Sequence, residues 1–237
     1  MTGGIYGKLP SAADFCRKRL PNTFVEPWDR WLQECLTSAK ETLGEAWSQT
    51  YLSSPLWCFA VDPGVVSEVG WTGVLATSVD STGRYYPLTL AVAVEQLLPC
   101  QTLALHLQVP LRELEETALA LIEGHQTIDD ALALIDRIGT GLAALDTLGE
   151  EPSVFLNAYG GELGTMQANP LFPPVSELRR SGYSGYAPVQ RPSNASIWWH
   201  YGWPGRSPEA VKTRGLPSAP MFGSFLDGRW KQHGWSR

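Results

Sequence analysis

Leu88-Thr89-Leu90-Ala91-Val92-Ala93-Val94 is the stretch on which the fold turns. It is too short for a core helix and is closed off by Pro87 and Glu95, so it reads as a strand. An edge strand with one wet face would alternate apolar and polar residues. Here only Thr89 breaks the apolar run, which predicts a central strand covered by helices on both faces.

Leu56 to Val61 and Trp71 to Ser78 are further short apolar runs bounded by Pro, Gly, Asp or Ser, and they read as strands of the same sheet. Gly3 to Pro10 reads as a strand running into a turn, because Gly7 permits unusual dihedrals and Pro10 ends any ladder. The cover comes from three helical patterns. From Glu26 to Leu43, apolar Trp28, Leu32, Cys35, Leu36, Ala39 and Leu43 recur every three or four residues, while Asp29, Arg30, Gln33 and Glu34 take the other face. Pro27 suits the first turn of this helix and Gly44 its end. Pro110 to Glu123 and Thr127 to Ile138 carry similar stripes, with Thr127 as N-cap and Asp130 facing the free amides of the second.

Beyond Asn157 the texture turns to Gly, Pro, Ser and aromatic residues, with Ile197-Trp198-Trp199-His200-Tyr201 a strand inside it and a short helix at Ala219 to Leu226. So many aromatics exclude a disordered tail. The expected architecture is mixed α/β: a largely antiparallel sheet with helices on both faces and a loop-rich C-terminal part. One domain spans 1–237, with residues 1–155 as sheet-and-helix core and 156–237 as an extension packed on it.

A net charge of −6 and a pI near 5.2 leave no basic excess for phosphate backbones, so nucleic acid is not an expected partner. Cys16, Cys35, Cys58 and Cys100 are widely spaced with no C-x-x-C pair, which predicts buried, reduced thiols. The start carries no charged-then-apolar signal, and no apolar run nears the roughly 20 residues of a membrane-spanning helix, so a soluble cytoplasmic protein without direct membrane insertion is expected.

The sequence completes no catalytic or metal-binding motif. A phosphate loop around Gly7-Lys8 would need Gly at position 2 and Ser or Thr at position 9, where the chain has Thr2 and Leu9. Gly182-Tyr183-Ser184-Gly185 lacks the second glycine of a nucleophile elbow, since Tyr186 stands there. His106, His125, His200 and His233 show no metal-ligand spacing, and His200 reads as a packed residue. Glu115-Glu116 and Asp129-Asp130 are adjacent on helices, so their side chains diverge and read as solvated faces. No catalytic residue, metal or cofactor is expected.

Two polar clusters remain that a generic core does not require: Lys8 with Asp14 and Arg17, and Asp80 with Arg84. In one reading Asp80 caps the turn Ser81-Thr82-Gly83 and pairs with Arg84. In the other, all five frame a partner-binding surface on loops held by a rigid scaffold. An enzyme of unknown chemistry built on Lys8, Asp80 and Arg84 is the competing functional hypothesis, and a structural subunit of a larger apparatus is a third.

These leftover residues belong to a longer pattern. Gly7-Lys8-Leu9-Pro10, Asp14-Phe15, Leu20-Pro21, Trp28-Asp29-x-Trp31-Leu32, Ser78-Val79-Asp80-x-x-Gly83-Arg84-Tyr85 and Pro87-Leu88-Thr89 follow in order, then more weakly Ser196-x-Trp198-Trp199, Gly215-Leu216-Pro217 and Phe222. In this the chain resembles the TagF family, also called ImpM, of bacterial type VI secretion. Ala13 stands where the family often has Gly, and Tyr86 where Phe is common. The resemblance implies a longin-like fold and a cytoplasmic, non-enzymatic negative regulator that acts after translation by contacting the secretion system's forkhead-associated scaffold protein. Some relatives carry a fused phosphatase domain; the chain leaves no room for one before Arg237, so phosphatase activity is not expected of it.

Overall fold

The computed structural model describes residues 3–96, 98–148 and 194–235. Seven strands form one antiparallel sheet: β1 (Gly3–Gly7), β2 (Cys16–Lys18), β3 (Trp57–Val61), β4 (Gly70–Ala76), β5 (Leu88–Val94), β6 (Ala195–His200) and β7 (Glu209–Arg214), in the order β2-β1-β5-β4-β3-β6-β7. As its composition requires, β5 is interior, paired along its length with β4 (Val74 opposite Leu90) and with β1 (Ile5 opposite Leu90). The sheet continues from β3 into β6 and β7, so residues 195–214 share its ladder with residues 3–94. The sequence reading of 182–185, and most of the loop-rich stretch, lie outside the described residues.

The period-two alternation of the strands separates two apolar layers. Ile5, Cys58, Ala60, Val74, Leu88, Leu90, Val92 and Ile197 face α3 (Cys100–His106), α4 (Gln108–Glu123) and α5 (Ile128–Leu148). Tyr6, Trp57, Phe59, Trp71, Ala91 and Trp198 face α1 (Asn22–Leu43), α2 (Trp47–Leu52) and α6 (Gly223–Asp227). The first layer is mainly aliphatic, with Trp199 as its buried aromatic, and the second is rich in aromatic side chains. In the second, Trp28 lies 4.9 Å from Trp31 and from Phe59, and Trp31 lies 5.3 Å from Trp198. Trp28 and Trp31 are both buried, and each indole N–H finds an acceptor: Thr89 Oγ1 at 2.9 Å and Pro217 O at 2.7 Å. Thr89, the polar interruption in the central strand, is therefore the acceptor for a fully buried tryptophan of α1.

The helices differ from expectation at their ends. α1 starts a turn earlier, because Phe24 and Val25 are also buried and extend the apolar stripe. Pro27 thus sits inside the helix, where it cannot donate to Thr23. α5 runs on past Ile138 through Gly139 and Gly141, since Leu142 continues its buried stripe. At its start Thr127 Oγ1 accepts from Asp130 N at 3.2 Å, and Asp130 Oδ2 accepts from Thr127 N at 2.9 Å, a reciprocal capping box. β2, β7, α2 and α3 were not legible, being short or, in β7, polar and partly exposed. All four cysteines are buried, and burial raises the thiol pKa of Cys16, Cys35 and Cys58. Among the described residues no helix is long and apolar enough to cross a membrane.

Thr89→Val should destabilise the fold by about 1–3 kcal/mol in denaturant unfolding, by leaving the Trp28 N–H buried without an acceptor. Trp28→Ala should cost about 3–5 kcal/mol. A neutral Thr89→Val would show that the indole donates elsewhere.

Candidate functional site

Lys8, Asp80 and Arg84 converge beyond the end of β1. The chain leaves β1 at Gly7, whose φ of 140° suits glycine and whose Cβ, if present, would lie 2.1 Å from Pro87 O. The next residue, Lys8, is thereby directed inward, and only 7% of its side chain is exposed. Between β4 and β5 the segment 78–86 folds back on itself: Tyr86 N donates to Ser78 O at 3.1 Å and Asp80 N to Arg84 O at 3.1 Å, with Gly83 at φ 80° making the turn.

Asp80 closes that turn. Its Oδ1 accepts from Thr82 N (2.9 Å), Thr82 Oγ1 (2.7 Å) and Arg84 N (2.9 Å), while Oδ2 accepts from Lys8 Nζ (2.7 Å) and Arg84 Nε (2.6 Å). The carboxylate is fully enclosed, whereas 58% of the Arg84 side chain is exposed. Enclosure alone would raise the carboxyl pKa; the bonds from Lys8, the Arg84 and Thr82 groups and the Arg84 guanidinium outweigh it and hold the group far below the usual carboxylate range. Asp80 is a fixed anion.

From this anion the bracing reaches the neighbouring loop. Arg84 Nη2 donates to Ala13 O, Ser81 N to Ala12 O at 3.0 Å, and Ala12 N to Leu9 O at 3.0 Å. The 10–15 loop ends in Phe15, 45% exposed. Its ring stacks on Tyr6 at 5.6 Å and meets Tyr86 edge-on at 4.7 Å, and Lys8 Nζ lies 5.1 Å from its centroid. Beneath it, Tyr6 and Tyr86 both donate to Asp29 Oδ1, at 2.8 and 2.6 Å, and Gln33 donates to Oδ2 at 2.6 Å. Burial, and then the bond to Asp29, pushes both phenols above their ordinary pKa, so they remain donors.

Of the five residues singled out in the sequence, the structure joins Lys8, Asp80 and Arg84. Arg17 lies apart from that network, donating to Leu20 O at 2.9 Å and to Asn22 Oδ1 at 2.5 Å. Asp14 is exposed, and its carboxylate takes no partner among the described residues. Sequence reasoning assigned Asp29 to the outward face of α1 and gave Tyr6, Phe15 and Tyr86 no role in the site; helical periodicity carries no signal for a carboxylate that meets two phenols from β1 and from the 78–86 turn.

Two further polar clusters flank β6. His200 is buried; Gly202 N donates to its Nδ1 at 3.1 Å, so Nε2 carries the proton and donates to Glu209 Oε2 at 3.1 Å. Trp230 Nε1 donates to Glu209 Oε1 at 2.9 Å, and Arg206 donates to Oε2 while its other arm reaches Phe225 O at 3.0 Å. Partial burial would raise the Glu209 carboxyl, yet the bonds from His200, Trp230 and Arg206 take it down to about 2. This cluster ties β7 and the C-terminal segment to the sheet.

Glu115, expected on a solvated face, is instead half buried on α4 beside Arg112, Tyr201 and Cys58. Burial raises its pKa to about 7, against the pull of Arg112 and with some help from Glu116. Tyr201 rather than Glu115 takes the local anchoring bond, donating to Gln108 O at 2.7 Å with Arg112 5.5 Å over its ring.

Fold and site together define an α/β protein, with one sheet among the described residues, whose prominent polar network braces a surface loop that presents an aromatic side chain. Residues 4–138 match the family model described as the TagF N-terminal domain, type VI secretion system-associated, and the chain belongs to that family. Three chains of solved structures match it. One is PA0076 from Pseudomonas aeruginosa PAO1, a crystal structure at 2.05 Å resolution, with a TM-score of 0.68, 30% identity, and coverage of 97% of this chain and 95% of that one. No curated protein sequence matches.

The Asp80 pKa is lower in the folded chain than in the unfolded one, so its stabilisation is complete above the ordinary carboxylate value and lost as pH falls below it. Asp80→Asn should lower the thermal midpoint near neutral pH by roughly 5–10 °C, because Lys8 is left buried opposite a neutral amide. The gap from wild type should narrow below about pH 4.

Glu115 has the opposite sign: its folded pKa is raised, so its contribution is complete below the unfolded value of 4.5 and lost as pH rises through about 7. Glu115→Gln should therefore stabilise the protein by roughly 1–2 kcal/mol in mildly alkaline buffer and leave it unchanged in acid, read from paired denaturant titrations. Equal effects at both ends would mean that folding leaves the Glu115 pKa unchanged.

Proposed function

We propose that this chain is a cytoplasmic, non-enzymatic negative regulator of type VI secretion that acts after translation by binding the system's forkhead-associated scaffold protein. Membership of the TagF family supports the secretion role. The observation that carries the binding reading is the Lys8–Asp80–Arg84 network, whose charged groups satisfy one another while fixing the exposed loop next to them. The contact surface takes in exposed Asp14, Arg17 and Arg84, with buried Lys8 and Asp80 holding it from beneath.

An enzyme built on Lys8, Asp80 and Arg84 has less support. A general base needs a pKa near the working pH, and Asp80 is held far below that. Preorganised loops on rigid scaffolds suit recognition, since little ordering entropy is lost on contact.

Affinity capture from host cytosol tests the proposal. Tagged wild type should retain the scaffold protein in a ratio that varies with expression, and raising its level should suppress type VI-dependent killing of competitor bacteria. Asp80→Ala/Arg84→Ala, shown by circular dichroism to be folded, should retain at least about tenfold less. No capture by wild type would sink the partner assignment, and capture in fixed ratio with assembled complexes would instead identify a structural subunit.

A further inference from the structure

We propose that Phe15 and the cations at the open edge of β2 form a docking site for an acidic, extended segment of a partner protein, which adds as a strand to β2 and sets an apolar side chain against Phe15. The proposal deepens the regulatory reading and rests on it for the identity of the natural partner.

Three observations converge. First, β2 ends the sheet: β1 occupies one of its sides, and among the described residues no strand occupies the other. An open edge presents backbone donors and acceptors that a second strand can complete. Second, the residue leading into that edge is Phe15, 45% exposed and held by ring contacts with Tyr6 and Tyr86. A lone exposed apolar side chain is ordinary on a protein surface. This one is unusual in its support, because the loop behind it is fixed through Ala12 and Ala13 to a turn built on an enclosed anion. Keeping a solvent-facing loop in place does not require burying a Lys–Asp pair, an arrangement with a large desolvation cost.

Third, the charge of the edge is opposite to that of the chain. Arg17, Lys18 and Arg19 are exposed in succession, whereas the chain as a whole carries −6; Arg19 is paired with Asp136, and exposed Arg84 with Asp80, so against the exposed carboxylate of Asp14 it is Arg17 and Lys18 that stand without a carboxylate partner among the described residues. Arg17 and Arg19 are held where they stand, Arg17 by Leu20 O and Arg19 by Leu132 O and Asp136, both at 3.0 Å. Cations on an edge strand discourage pairing with an identical edge, so a second copy of this chain is the wrong occupant. The same cations attract and orient an acidic strand.

The probe is a fluorescein-labelled peptide of alternating glutamate and leucine, titrated with the full-length chain and followed by anisotropy, beside its lysine–leucine counterpart. Wild type should bind the acidic peptide alone, and at least about tenfold more weakly when salt is raised. Phe15→Ser and Lys18→Glu should each weaken binding about tenfold or more; Lys18 is exposed, so its variant keeps the test valid if Phe15→Ser is poorly folded. No binding of the acidic peptide by wild type, equal binding of the lysine peptide, or full binding by folded Lys18→Glu would each overturn the proposal. Scaffold capture separates the two claims. If wild type and both variants capture the scaffold equally, the docking site is wrong and the regulatory reading stands; if the variants lose the peptide while wild type captures no scaffold, the docking site stands and the regulatory reading falls.

Discussion

Everything in this fold is arranged around a strand that has no wet side. β5 is paired on both edges and buried on both faces, so the chain must supply a ladder to its left and right and an apolar layer above and below. The two layers are met with different chemistry. Small and aliphatic side chains from β3, β4 and β5 receive α3, α4 and α5. On the other face, tryptophans and phenylalanines from α1, β3, β6 and the C-terminal segment interlock, each aromatic bringing a large apolar area at a modest loss of side-chain freedom. A tryptophan buried this way also brings a polar N–H. Thr89, Pro217 O and Phe225 O supply acceptors to Trp28, Trp31 and Trp57.

Buried charge gathers at the ends of strands, at Asp62 beyond β3 and in the cluster at the end of β1. Asp80 has five donors directed at it. Two of the five are backbone amides and a third is the hydroxyl of a residue within the same turn, so most of the carboxylate's bonding is local and would form in an isolated turn. Lys8 differs, since its distance along the chain makes it the link between the β1 end and the 78–86 turn. Asp80 therefore fixes the turn through local bonds and the site through one long-range bond.

What the sequence made legible follows this division. β5, β4 and β3 could be read because two-sided burial leaves an apolar run with turn residues at both ends, and α1, α4 and α5 because one-sided burial leaves a stripe. Cys16–Lys18 escaped because a three-residue edge strand with two exposed cations has the composition of a loop. Glu115 was misread for a related reason: its position beside Glu116 suggested solvent, and nothing in helical spacing announces that Tyr201 will arrive from the end of β6. At the site, Asp80 and Arg84 were recoverable as a local turn motif, whereas the convergence of Tyr6, Tyr86 and Phe15 over Asp29 depends on the register of β1 against β5 and the placement of α1.

The exposed ring of Phe15 has to be weighed against that background. A side chain that served only to cover Tyr6 and Tyr86 would gain by sinking further. The carbonyls of Ala12 and Ala13 are instead held by Ser81 N and Arg84, both anchored on the Asp80 turn. The ring is thus kept partly in water by the most heavily desolvated ionic group of the site, and the apolar contact left open is a reserve of binding free energy that a partner could collect on arrival. Locating recognition here needs no movement of the sheet: the strand that dictates the fold begins beside the turn that holds the loop.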